Sequence, residues 1–168
     1  MTPPGGSHYR ATVDGEFRSC GHETGLSSAS EHAYAALVAG GSTLVFTAGA
    51  CPLDPDGATV GAGDVRAQAV QTMENLAVVL ADAGARLEDV LRTTVYVASS
   101  DQRDLVAAWE VVRDALAPHD LPGTLLGVAA LGYGNQLVEF DAVAALTFRD
   151  SWPDCYARPG VLPVASAG

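Results

Sequence analysis

The chain has 168 residues, of which 48% are apolar and 17% charged, and its formal net charge is −11. That is enough apolar surface for one buried core and too little charge for a disordered chain. The acidic balance argues against nucleic acid and anionic membranes as partners.

All nine basic residues are arginine. Without lysine there is no Schiff base, so PLP chemistry and lysine-dependent aldol chemistry are excluded, and with them the P-loop lysine. The cysteines Cys20, Cys51 and Cys155 are far apart and form no CxxC pair. The histidines His8, His22, His32 and His119 have no ligand spacing. Neither a disulfide framework nor a metal site is expected, no cofactor is called for, and a reducing cytoplasm suits the thiols. The N-terminus lacks an apolar leader, and the uncharged stretch between His32 and Asp54 is broken by Gly40-Gly41-Ser42, which speaks for strands around a turn rather than a membrane span.

In chain order, residues 1–30 read as a mostly irregular extension with one possible strand around Gly15–Cys20. Tyr34–Ala39 and Leu44–Ala48 read as a hairpin across the glycine turn. Cys51–Gly57 is a turn cluster. Asp64 caps a helix over Val65–Ala83, whose buried face is Val65, Ala69, Met73, Leu76 and Leu80, with Gly84 just past its end. Arg92–Ala98 is a β-branched strand. Ser99, Ser100 and Asp101 offer caps for a second helix with the stripe Leu105, Trp109, Val112 and Leu116, stopped by Pro118. Thr124–Ala130 and Gln136–Phe148 are the last strands. The tail, residues 149–168, reads as irregular. The domain is then 31–148, an α+β sheet with two helices on one face and another subunit as the expected cover of the other.

Three blocks in this order resemble the Rid (YjgF) family: HAYAALVAGGSTLVFTAGACPLDPDG, QAVQTMENLAVVLADAGARLEDVLRTTVYV and LLGVAALGYGNQLVEFDAVAAL. The resemblance runs from about Tyr34 to Leu146. It implies a chorismate-mutase-like fold, a homotrimer with clefts between subunits, and hydrolysis of reactive enamines and imines. That chemistry needs an arginine to clamp a carboxylate, a positioned water, and an acid or backbone group near the imine carbon.

The arginine expected from the family falls on Gly123, or on Thr124 with a one-residue slip, and neither carries a guanidinium. Ala35 and Ala50 stand where the family has serine and glutamine, while Tyr34, Glu139 and an acidic Asp141 match it. The lost clamp predicts inefficient turnover of amino-acid-derived 2-iminoacids. The expected site is Glu139 as the catalytic acid–base, with Tyr34, Gly123, Thr124, Arg103 and Tyr133 binding the substrate. Arg103 also reads as a solvated helix residue near Asp101 and Asp104, and Tyr133, Asn135 and Gln136 as an ordinary turn. Cys51 reads as a packed thiol, His32 as a strand-edge residue, Arg92 as structural and Trp109 as helix core. The functional expectation is an enzyme hydrolysing an imine, enamine or related carbonyl-derived small molecule, with a place in bacterial specialised metabolism suggested by the arginine-only, Ala/Gly-rich composition. Its rivals are a non-catalytic binding trimer and an interaction or chaperone-like role.

Overall fold

A computed structural model of the chain describes residues 33–38 and 41–146, with the strand backbones at 10–11 and 17–20. His32, Cys155 and the tail 149–168 lie outside the described residues.

Two sheets form. Strands β1 (Arg10–Ala11), β2 (Phe17–Cys20) and β3 (Ala35–Val38) make an antiparallel three-stranded sheet in that order. Strands β4 (Thr43–Phe46), β5 (Val90–Val97), β6 (Gly123–Gly127) and β7 (Val138–Leu146) make a second sheet in the order β4-β7-β5-β6. In it only β5 and β6 run parallel. Helices α1 (Val65–Asp82) and α2 (Gln102–Leu116) pack on one face of the four-stranded sheet and against each other.

One expectation is corrected here. The hairpin does not form: β3 pairs with β2, and β4 pairs with β7. The apolar, nine-residue β7 offers β4 a buried ladder that a four-residue partner cannot match, so the long-range pairing wins. The N-terminal stretch carries β2 inside the strand expected around Gly15–Cys20, and the two-residue β1 beside it.

Helix α1 starts where its cap dictates. Asp64 has an extended backbone and its carboxylate accepts from the Ala67 N–H at 3.0 Å. It ends before Gly84, whose φ of +79° only glycine adopts freely. Ala69, Met73, Leu76 and Leu80 are buried, as their spacing requires. Gln68 and Thr72 share that buried face and are satisfied by backbone oxygens. Helix α2 is capped by Asp101 and buries Ala108, Val111, Val112 and Leu116. Leu105 and Trp109 are only partly buried, lying over the β6 end of the sheet.

Strand β7 alternates cleanly. Val138, Phe140, Ala142 and Ala144 enter the core beneath the helices, while Glu139, Asp141 and Val143 look the other way. That second face carries Leu44 and Phe46 from β4, Arg92, Thr94 and Tyr96 from β5, and Thr124 and Leu126 from β6. Phe46 is 72% exposed there and Leu126 43%.

Candidate functional site

The site is organised around Glu139, on the open face near the start of β7. Its carboxylate leans over the backbone of Gly49, and any Cβ at residue 49 would collide with Glu139 Oε1. Only glycine leaves that space. Glu139 Oε2 accepts a hydrogen bond from Gln136 Nε2 at 3.1 Å and faces the Cys51 thiol at 3.6 Å. Gln136 Nε2 also lies 3.2 Å from Cys51 Sγ and donates to the Val138 carbonyl at 3.1 Å. Its Oε1 accepts from the Tyr133 N–H at 2.9 Å. Gln136 is 5% exposed, so its amide is held in one orientation.

Helix α1 sets these loops in place. Gln68, fully buried, donates to the Asn135 carbonyl at 2.8 Å and accepts from the Leu137 N–H at 2.7 Å. It thereby pins the turn that carries Gln136, in which Asn135 takes a left-handed φ of +60°. Asn75 donates to the carbonyls of Cys51 and Leu53, both at 2.8 Å. The Ala50–Phe140 bridge then brings the 49–51 segment alongside β7. One helix thus aligns the two loops that flank Glu139.

Burial, followed by the charge of Glu139 and the hydrogen bond to it, pushes the Cys51 thiol up to about 11. At neutral pH Cys51 is therefore a thiol, which donates rather than attacks. On the neighbouring strand β5, the Tyr96 hydroxyl donates to Asp141 Oδ2 at 2.9 Å, and that bond raises the tyrosine pKa.

The expected residues separate into groups. Tyr133 joins Glu139 through Gln136, although its ring is 52% exposed. Gly123 faces the helices: a Cβ there would stand 2.5 Å from Trp109 Cη2. Alternation along β6 therefore turns Thr124 to the open face, where its Oγ1 accepts from Arg92 Nη2 at 3.3 Å. Tyr34 is half-buried ahead of β3, in the other sheet. Arg103 sits in the first turn of α2 with its guanidinium held by Asp101, whose carboxyl that hydrogen bond lowers to about 2. It is not brought to Glu139. Sequence reading missed the roles of Gly49, Gln68, Asn75 and the Cys51–Gln136 contact. The available signal was polar Gln68 and Thr72 on the buried stripe of α1.

Among the described residues no group of His, Cys, Asp or Glu could hold a metal ion, and no helix is long and apolar enough to cross a membrane.

A mixed four-stranded sheet carrying two helices on one face is the architecture of the Rid-type α+β proteins. The family model described as Endoribonuclease L-PSP matches residues 25–146, and the chain belongs to that family, the Rid/YjgF family. A RutC family protein of Synechocystis sp. is 36% identical over 104 residues, 61% of this chain and 78% of the relative. The crystal structure of the conserved Rid family protein YyfB from Yersinia pestis superposes with a TM-score of 0.69 at 28% identity, covering 78% of this chain and 99% of that one. The 2-iminobutanoate/2-iminopropanoate deaminase of Salmonella typhimurium is 42% identical over 55 residues, 33% of this chain and 42% of that protein.

Proposed function

We propose that this protein hydrolyses an imine or enamine derived from a small carbonyl metabolite, in a cleft completed by further copies of the same chain, as a cytoplasmic homotrimer. The observation that carries this reading is the clamped Glu139 carboxylate, fixed by Gln136 and Cys51 at an open sheet face. The short match to an iminoacid deaminase supports the same chemistry. Although the family is described as an endoribonuclease, a net charge of −11 speaks against an RNA ligand.

In this mechanism an enamine first takes a proton from solvent on carbon, or an imine takes one on nitrogen, and either becomes the iminium ion. Glu139 orients a water and accepts one of its protons as the oxygen attacks the imine carbon. The product of that step is a carbinolamine. Glu139 then returns the proton to the nitrogen, the C–N bond breaks and ammonia leaves, while the hydroxyl proton passes to Glu139 as the carbonyl forms and is released to solvent. Water is the only co-reactant. Pinning the carboxylate before the reaction removes reorganisation from the chemical step. Gln136 and the Cys51 thiol, as donors to Glu139, are positioning groups.

The apolar residues Leu44, Phe46 and Leu126 on the same face support its burial against other copies. The test is ammonia release from a panel of imines generated in situ, for wild type and Glu139→Gln. Loss of general acid–base catalysis predicts a fall in kcat of about 100-fold or more. Equal rates, or no processing of any imine or enamine, would refute the reading.

A further inference from the structure

We infer that Arg92, steered by Thr124, forms an anion subsite on the open face that takes the carboxylate of a substrate whose acid group lies several bonds from its reactive carbon. The inference rests on the hydrolytic reading for the reactive end only.

Arg92 is exposed and projects from β5 on the same face as Glu139. The chain has 20 acidic residues against nine arginines, so most guanidinium groups should find a carboxylate. Arg66, Arg103 and Arg113 do, pairing with Glu110, Asp101 and Asp114. Arg92 takes part in no ion pair among the described residues, and its hydrogen bond goes to the neutral Thr124 hydroxyl. Asp141, the acid on the adjacent row of that face, is occupied by the Tyr96 hydroxyl. The guanidinium is thus oriented without being neutralised, which is the state an anion-binding arginine needs. It supplies from β5 the positive charge that Gly123 and Thr124 cannot.

The spacing narrows the ligand class. Thr124 pairs with Thr94 and Glu139 with Tyr96, so the two lie two residues apart along the strands and two strands apart across them. Their backbones are therefore about 12 Å apart. Glu139 leans further away, toward Gly49. In a 2-iminoacid the carboxylate and the imine carbon are neighbours, which makes the span awkward. A keto- or imino-acid with intervening methylenes fits it better.

Calorimetry on the full chain tests this with three stable probes: levulinate, pyruvate and 2-pentanone, the last having the chain length of levulinate without the acid. Levulinate is expected to bind more tightly than pyruvate. Arg92→Gln should weaken levulinate about tenfold or more, the loss of a charge-assisted contact, and leave 2-pentanone unchanged, which a merely structural role would not do. Thr124→Val should weaken levulinate several-fold. Levulinate affinity that is equal in wild type and Arg92→Gln, or absent from both, overturns the subsite, and pyruvate binding as tightly as levulinate overturns the spacing. Where Arg92→Gln changes the mass in solution, Thr124→Val decides, and unchanged levulinate affinity in it overturns the proposal. Arg92-dependent binding without imine hydrolysis leaves the subsite standing and removes the enzymatic reading. Imine hydrolysis with Arg92-independent binding does the reverse.

Discussion

The contact between Cys51 and Glu139 can be read without knowing the substrate, through the reactivity of the thiol. With Cys20 and Cys155 changed to serine, labelling by a disulfide reagent at pH 8 reports on Cys51 alone. Its pKa is raised from 9.0 to about 11 by burial, the charge of Glu139 and the hydrogen bond to it. The thiolate fraction at pH 8 then falls roughly 100-fold, since each unit is a factor of ten. A more basic thiolate is also a better nucleophile, by about tenfold over that range. The net expectation is labelling about tenfold slower than in the unfolded chain. Glu139→Gln removes the charge and leaves the burial, so labelling should accelerate several-fold while staying below the unfolded rate. The same shift has a stability signature. The folded chain favours the neutral thiol, so that contribution is fully present below pH 9 and is lost as the pH rises through 11. The melting temperature should fall faster over that window for wild type than for Cys51→Ser. An unaltered labelling rate in Glu139→Gln would refute the placement of the carboxylate against the sulfur.

Gly123→Ala should destabilise by about 1–3 kcal/mol in a chemical melt, because its Cβ meets the Trp109 ring at 2.5 Å. Gln68→Leu strands the Leu137 N–H and the Asn135 carbonyl in a buried place and should cost about 2–4 kcal/mol, read as a lower denaturation midpoint. Gly49→Ala displaces the Glu139 side chain, a flexible obstacle. It should leave the melting temperature within a few degrees of wild type and lower imine turnover at least about tenfold, measured as kcat.

Local rules made parts of this fold legible. Asp64 and Gly84 bracket α1 to within a residue because cap and stop are near-neighbour chemistry. The alternation from Val138 to Ala144 marked β7 and placed Glu139 opposite the core. Partners were not legible. The glycine turn after Val38 promised a hairpin, yet β4 found its ladder some hundred residues on. The two-residue β1 is too short to show a period. In the site, Gln136 and Cys51 are separated by 85 positions, and no spacing rule joins them. The meaning of Arg92 depended on the parallel register of β5 and β6, which decides that Thr124 rather than Gly123 shares its face.

The most direct test of the account is the mass of the full-length chain in solution by light scattering. The open face, with Phe46 72% exposed, has to be covered by other copies if Glu139 and Arg92 are to line a pocket. The account predicts a particle of three chains at micromolar concentration. A stable monomer would contradict it.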